Sequence, residues 1–209
     1  MMQRLRSHDD GLLRCWWCGD DPLYVEYHDR EWGRPVHDDV RLFEKICLEG
    51  FQSGLSWLTI LRKRENFRRA FANFDISRVG RFTPRDVDRL LGDAGIVRHK
   101  GKIESTINNA RRCQELIDEL GSLDAFVWKF AATSAHGEPT TSSSQRGQVV
   151  PTSSADIPTQ SAESVEMSKE LKRRGWSFVG PTTMYAFLQS VGVVNDHLND
   201  CWVRQDARA

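Results

Sequence analysis

Apolar residues recur at every third or fourth position along most of this chain, which is the spacing of one face of a helix. Asp21 followed by Pro22 predicts the start of a first helix, which should end near Gly33. A second helix should begin at Asp38 or Asp39. No segment of useful length alternates between apolar and polar residues as a half-buried strand does. The chain is therefore predicted to be all-α.

The remaining helices are predicted from the same signals. Each begins after a capping residue, carries an apolar face and ends at a glycine or at a change of pattern. They cover residues 57–74, 84–92, 103–120, 123–130, 165–174, 184–192 and 194–201, with a short helical turn at 75–82. We expect one domain over residues 12–204, flexible tails at 1–11 and 205–209, and a Ser/Thr/Pro-rich loop or linker around 133–162.

Composition excludes several classes of protein. No stretch approaches the roughly 20 apolar residues that span a bilayer, and residues 1–14 lack the apolar run of a secretory signal. Five cysteines, an odd number spread over the chain, do not suggest a disulfide framework. We therefore expect a cytosolic protein with reduced thiols and no membrane partner.

Charge is balanced overall but uneven locally. The 29 basic and 29 acidic residues give a formal net charge of zero, yet basic side chains cluster at 62–69, 98–102 and 172–174. A neutral protein can still attract phosphate through one basic face, although each cluster alone is equally typical of a solvated helix end.

The second basic cluster lies in a tight turn between two predicted helices. Backbone N–H groups in such a helical hairpin can hold a phosphate, and the basic side chains beside them add charge. Glycines in this position are also common for steric reasons alone. The residues of this turn that could contact a phosphate are Gly95, Arg98, His99, Lys100, Gly101 and Lys102.

Aromatic residues are dense in the first third of the chain. The group comprises Trp16, Trp17, Tyr24, Tyr27, Trp32 and Trp57. Glu49 lies beside the apolar face of the second predicted helix, where an acid is either at the rim or buried for a purpose. Plain core packing explains any one of these aromatics, but the density of the group predicts a stacking pocket for a flat, electron-poor ring.

Two pairs of soft ligands lie near the ends of the chain. Cys15 and His28 flank the aromatic group, and His197 and Cys201 are four residues apart, which puts them on one face of a helix. Together they would make a tetrahedral Cys₂His₂ site for one structural zinc ion per chain. Such a site would join the N- and C-terminal segments.

Cys18 offers two alternatives to this zinc site. With Cys15 it makes a CxxC motif, which is typical of redox dithiols, although the βαβ pattern of a thioredoxin-like protein is missing. Cys18 could also replace Cys15 as a ligand. Cys47 and Cys113 lie on apolar helical faces and are expected to be core residues.

Five segments of the chain resemble one known family. Residues 14–33, 42–57, 61–71, 93–103 and 190–201, in this order and spacing, resemble the bacterial 3-methyladenine DNA glycosylase I family. The resemblance implies an all-α fold of the helix-hairpin-helix DNA glycosylase superfamily, with the hairpin around 83–120. It also implies a zinc clip on Cys15, His28, His197 and Cys201.

The resemblance further assigns a base-binding site. The matching positions are Trp17, Tyr24, Tyr27, Glu49 and Trp57, with Trp32 nearby. Cys18 departs from some relatives, and the hairpin is less regular in glycine than in other members of the superfamily. The catalytic Asp of superfamily relatives has no clear counterpart here, because Asp118 and Asp124 lie in ordinary helical contexts.

The function implied is excision of a damaged base. The enzyme would flip 3-methyladenine out of double-stranded alkylated DNA, hydrolyse the N-glycosidic bond and release the free base, leaving an abasic site. Glu49 and Tyr27 would act at the polar edge of the ring, with Glu49 ionised to favour a cationic base, and an aromatic ring would stack on its face. We expect a monofunctional, monomeric enzyme.

Two other classes of function remain open at this stage. A helical DNA-binding module without catalysis would also use a zinc site, a hairpin and basic clusters. A thiol redox protein would use Cys15 and Cys18.

Overall fold

The computed structural model describes residues 4–133 and 150–206, and this part of the chain is mostly helical, as predicted. Ten α-helices occur in it: α1 (Pro22–Arg30), α2 (Asp39–Gln52), α3 (Trp57–Ala70), α4 (Ile76–Gly80), α5 (Pro84–Gly92), α6 (Lys100–Leu120), α7 (Leu123–Thr133), α8 (Ala162–Arg173), α9 (Pro181–Ser190) and α10 (Trp202–Asp206). Two short strands and three single 3₁₀ turns, at Trp16–Cys18, Ala72–Phe74 and Ser154–Asp156, complete it.

The first three helices begin where their capping residues predict. The Asp21 side chain accepts hydrogen bonds from two backbone N–H groups of α1. Asp38 caps α2 through the N–H of Arg41, and Ser56 caps α3 through the N–H of Thr59. Each bond satisfies a donor that the first turn of a helix leaves without an intrahelical partner.

Helix α2 is the centre of the core. It packs against α3, α6, α7 and α9, and every residue from 42 to 51 is buried. A helix covered on all sides buries charged residues along with apolar ones, and here these are Glu44, Lys45 and Glu49. Glu44 is neutralised by Arg68 of α3, whose Nε donates to it at 2.8 Å. Glu49 therefore lies inside the protein and not on its rim.

Helices α5 and α6 contact each other and are joined by a turn at residues 93–99, where the hairpin was predicted. A capping box begins α5, with the Thr83 N–H donating to Asp86 at 2.9 Å. His99 caps α6 by accepting the N–H of Lys102 on its ring at 3.3 Å. The turn between the two helices is thus fixed by local hydrogen bonds.

The N-terminus differs from the predicted flexible tail. Strand β1 (Leu5–Ser7) pairs antiparallel with β2 (Leu13–Cys15). Arg14 of β2 is buried, and its guanidinium pairs with Asp10 at 2.7 Å and with Asp29 at 2.8 Å. Strands of three residues are too short to give a periodic signal, which is why the pattern missed them.

The C-terminal segment also differs from the prediction. Residues 194–201 are not helical, and α10 begins only after them and reaches into the predicted tail. Arg204 holds this segment by donating to the carbonyl oxygens of Asn195 and His197, each at 2.9 Å. These bonds replace those of a helix and depend on a residue outside the predicted element.

The Ser/Thr/Pro-rich segment is only partly covered by the described residues. Residues 134–149 lie outside them, so the predicted loop or linker there stays a prediction. A 3₁₀ turn at Ser154–Asp156 and the start of α8 occupy its second half. Over the described ranges, each helix is too short or too polar to traverse a bilayer.

Candidate active site and candidate metal centre

A cavity of about 240 Å³ opens between α1, α2, α3 and α9. The structure brings all six predicted pocket residues to its wall: Trp17, Tyr24, Tyr27, Trp32, Glu49 and Trp57. Trp16, which belongs to the predicted aromatic group, also lines it, and the lining residues that sequence analysis did not assign are Gln52, Ile157, Ala186 and Gln189. Gln52 could have been found, because it lies one helical turn after Glu49 on the same face of α2.

The aromatic rings that form the cavity wall also contact one another. Trp17 lies at 5.1 Å from Tyr24 and 4.9 Å from Trp32, measured between ring centroids and at steep interplanar angles. Tyr27 lies at 5.4 Å from Trp57. Because these rings meet edge to face or tilted, they do not fill the space between them, and a planar guest can stack there.

Glu49 is the acidic group of this pocket. Burial raises the pKa of the Glu49 carboxyl to about 8, and the nearby charge of Lys45 lowers it only in part. No hydrogen bond reaches this carboxyl from any residue that the structure describes. Without a cation beside it, the carboxyl therefore keeps its proton to a higher pH than usual, and its ionisation beside a cationic base stays a prediction.

Tyr27 and Lys45 complete the electrostatics of the site. Burial raises the pKa of the Tyr27 hydroxyl well above its usual value, so this group remains a neutral hydrogen-bond donor. The Lys45 ammonium lies 5.5 Å from the centroid of the Tyr27 ring. Burial lowers the pKa of Lys45 to about 8. Trp57 adds an indole N–H that is buried without a partner.

Behind the pocket, the four predicted metal ligands converge. Their ligand atoms all lie within 4.8 Å of one another, and all four residues are buried. Cys201 Sγ is 3.4 Å from His28 Nε2 and 3.6 Å from His197 Nδ1, and Cys15 Sγ is 3.7 Å from His197 Nδ1. Sulfur and nitrogen ligands of a tetrahedral zinc ion are about 3.6 Å apart. The donor set and its spacing therefore fit such an ion.

Both histidine rings are oriented from outside the cluster. His28 Nδ1 lies 2.8 Å from Asp29, which also binds Arg14 and the indole N–H of Trp202. His197 Nε2 lies 3.0 Å from the carbonyl oxygen of Trp32. Each ring thus presents its other nitrogen to the cluster, as metal-binding histidines do. Sequence analysis gave no role to Asp29.

Cys18 stands apart from the cluster. Its thiol donates to the carbonyl oxygen of Cys15 at 3.2 Å. Burial raises the pKa of Cys18 to about 12, whereas redox dithiols need a lowered pKa. The structure therefore favours Cys15 as the ligand and gives no support to a redox dithiol.

The hairpin places its predicted DNA contacts unequally. Arg98, His99 and Lys100 are exposed. Two other residues differ from the prediction. The Gly95 N–H already donates to Asp93 at 2.7 Å, and the Lys102 side chain is buried against carbonyl groups of the α2 C-terminus.

The two helical acids considered for catalysis lie away from the cavity. Asp118 is exposed on α6. Asp124 lies 2.9 Å from His37 Nδ1 at the start of α7. Neither lines the aromatic pocket, which agrees with the ordinary helical contexts that the sequence gives them.

Comparison with known proteins points to one family. The family model of methyladenine glycosylases matches residues 17–205. The chain is 45% identical to DNA-3-methyladenine glycosylase 1 of Escherichia coli (strain K12) over 190 residues, which cover 91% of this chain and 96% of the relative. It is similar to a crystal structure of 3-methyladenine DNA glycosylase I, with a TM-score of 0.81 and 45% identity over 90% of this chain and 98% of the other.

A second solved structure contains a ligand. It is a variant of 3-methyladenine DNA glycosylase I in complex with 3-methyladenine. It matches with a TM-score of 0.81 and 34% identity, covering 91% of this chain and 96% of the other.

Proposed function

The chain belongs to the methyladenine glycosylase family, and from this premise we propose that its aromatic pocket binds 3-methyladenine turned out of alkylated DNA. The enzyme excises this base by hydrolysing the N-glycosidic bond, which releases free 3-methyladenine and leaves an abasic site. The observation that supports the role of the pocket best is that Tyr27, Glu49 and Trp57 line one cavity of about 240 Å³.

Charge pairing explains why a methylated base is chosen. Methylation at N3 makes the base cationic while it is attached to the sugar. A cation beside Glu49 favours loss of the carboxyl proton, so a buried carboxylate forms only when a positive ring is there to pair with it. Neutral adenine offers no such compensation and leaves the carboxylate costly.

The same pairing assists release of the product. As the glycosidic bond breaks, its electrons pass to the base, which becomes neutral, and water attacks the cationic sugar carbon and releases one proton to solvent. The departing base is then held mainly by stacking on Trp17 or Trp57 and by polar contacts with Tyr27. Because the base is already a good leaving group, no strong general base is required, and no lysine needs to act as a nucleophile.

We propose that Cys15, His28, His197 and Cys201 hold one zinc ion. Four protein ligands leave no position for water, so the metal would be structural and would take no part in base excision. It would tie β2 and α1 to the segment before α10, close to the pocket wall. The orientation of both histidine rings by Asp29 and Trp32 supports this assignment.

Double-stranded DNA would be held by α5 and α6 as a helix-hairpin-helix element. Arg98, His99 and Lys100 are exposed at the start of α6, where the helix dipole also favours an anion. Binding should therefore weaken steeply with salt.

Base release from methylated duplex DNA tests the function. The wild-type protein should release 3-methyladenine, detected by chromatography, and should leave abasic sites that break only on heating or alkali. Borohydride should trap no covalent adduct. A protein that binds this DNA and releases no base would instead be a non-catalytic DNA-binding module.

A further inference from the structure

Lys102 is a buried lysine with an unusual pair of partners. Only 7% of its surface is exposed. Its Nζ donates to the carbonyl oxygen of Phe51 at 2.9 Å and to that of Ser53 at 2.6 Å. These carbonyls lie at the C-terminal end of α2, where a helix leaves its last acceptors without intrahelical partners. A cation at this end is also favoured by the helix dipole.

The contact joins the two parts of the enzyme that must act together. Lys102 belongs to the first turn of α6, directly after the exposed cationic turn of the hairpin. One acceptor, Ser53, begins the α2–α3 turn, defined here as residues 53–56. The other, Phe51, lies in the last turn of α2. Gln52 and Trp57, on either side of this turn, both line the base pocket.

Further hydrogen bonds hold α6 at this junction. Ser105 and Asn109, on the same helix as Lys102, donate to the carbonyl oxygen of Ser177 at 3.1 and 2.9 Å. The next residue, Phe178, has a positive φ of 55° and lies in ordinary van der Waals range of α2, since a methyl group at Gly50 would be 3.4 Å from its Cβ. Helix α6 is thus tied both to the end of α2 and to the segment before α9, and the Lys102 bonds form one part of that attachment.

We propose that Lys102 is a positioning residue for base excision, which fixes the α2–α3 turn, and with it Gln52 and Trp57, relative to DNA held by the hairpin. The inference rests on the proposed glycosylase function. Lys102 itself contacts neither the base nor the sugar. In a variant that lacks the Lys102 ammonium, the pocket still binds a free base. A base attached to DNA, however, is displaced relative to the pocket.

Lys102→Met tests this role because methionine keeps an unbranched side chain and removes the donor. On methylated duplex DNA at saturating substrate, kcat should fall about 10- to 100-fold with little change in KM. The affinity for free 3-methyladenine should stay within about twofold of wild type. Lys100→Met is the matched variant on the exposed side of the same turn. It should raise KM and lessen the salt dependence, with kcat nearly unchanged.

The outcomes separate this proposal from the function it rests on. A wild-type protein that releases no base would refute the glycosylase function itself. An active wild type with an equally active Lys102→Met variant would overturn the positioning role. So would a parallel loss of kcat and free-base affinity, because that pattern means a damaged pocket. If Lys102→Met does not fold, Lys102→Gln decides between the same outcomes, since its shorter amide cannot reach both carbonyls.

Discussion

The base pocket and the neighbouring cysteine–histidine cluster differ in whether their polar groups have hydrogen-bond partners. In the cluster, each histidine has its outer nitrogen beside a fixed partner, Asp29 or the Trp32 carbonyl. In the pocket, the Glu49 carboxyl has no hydrogen bond among the described residues, and the Trp57 indole N–H is buried without an acceptor. The first arrangement orients ligands for a permanent occupant. The second leaves polar groups on the cavity wall with which a bound ligand can pair.

This contrast indicates where stability and function reside. Buried polar groups are normally satisfied, so an unsatisfied acid in a cavity is a sign of a binding site. Glu44 and Glu49 show the difference within one helix, since both are buried on α2 but only Glu44 has an arginine partner. Each of the following predictions alters one side of this comparison.

Loss of the metal site should have the largest effect. Cys201→Ser, or removal of metal by a chelator, should lower the free energy of unfolding by about 4 kcal/mol or more, because the site connects segments at opposite ends of the chain. Urea denaturation together with elemental analysis measures this. A wild-type protein that contains no zinc and keeps its stability in chelator would contradict the proposed metal centre.

The two acids of α2 should respond in opposite directions. Glu49→Gln removes a carboxylate that is costly to bury and should raise the free energy of unfolding at pH 9 by roughly 4 to 5 kcal/mol. Glu44→Gln breaks the ion pair with Arg68 and should lower it by about 1 to 2 kcal/mol. Denaturation of both variants under the same conditions tests the pair. Equal changes in the free energy of unfolding of the two variants would show that burial of the Glu49 carboxylate does not destabilise the folded protein.

The pH dependence of the Glu49→Gln effect follows from the raised pKa. The folded protein keeps a proton on Glu49 up to about pH 8, whereas the unfolded chain loses it near the usual glutamate pKa of 4.5. Wild type should therefore lose stability relative to Glu49→Gln as pH rises from about 4.5 to about 8, by at most about 1.4 kcal/mol per pH unit. Above about 8 the difference should be constant, and a flat difference over the whole range would disprove the raised pKa.

Cys18→Ser should have the smallest effect. The serine hydroxyl can replace the thiol as a donor to the Cys15 carbonyl, so stability should change by less than about 1 kcal/mol. Zinc content and base release should equal those of the wild type. Loss of one equivalent of zinc from this variant would instead identify Cys18 as a ligand.

Local patterns predicted the helices well because caps act within a few residues. The Asp21, Asp38 and Ser56 side chains all accept the expected backbone hydrogen bonds. The N-terminal strands and the non-helical segment before α10 were missed, because distant partners such as Asp29 and Arg204 stabilise them.

Prediction of the pocket was limited in the same way, because some of its properties depend on residues distant in the sequence. Its residues were predicted from the density of aromatics and from the family resemblance, and the structure places them around one cavity. The protonation of Glu49 and the inward direction of Lys102 could not be predicted, because both depend on how completely α2 is enclosed. Burial by other helices is a property of the whole fold and leaves no mark in the local sequence.

The central claim is that the unpartnered acid of the pocket selects a cationic base. The most direct test is the single-turnover rate of 3-methyladenine release from methylated duplex DNA by wild type, Glu49→Gln and Glu44→Gln, measured at subsaturating enzyme so that recognition of the cationic base contributes to the rate. We predict a rate about 10- to 100-fold lower for Glu49→Gln, equivalent to losing one charged interaction, and a rate near wild type for Glu44→Gln. A wild-type rate in Glu49→Gln, or an equal loss in both variants, would contradict the claim.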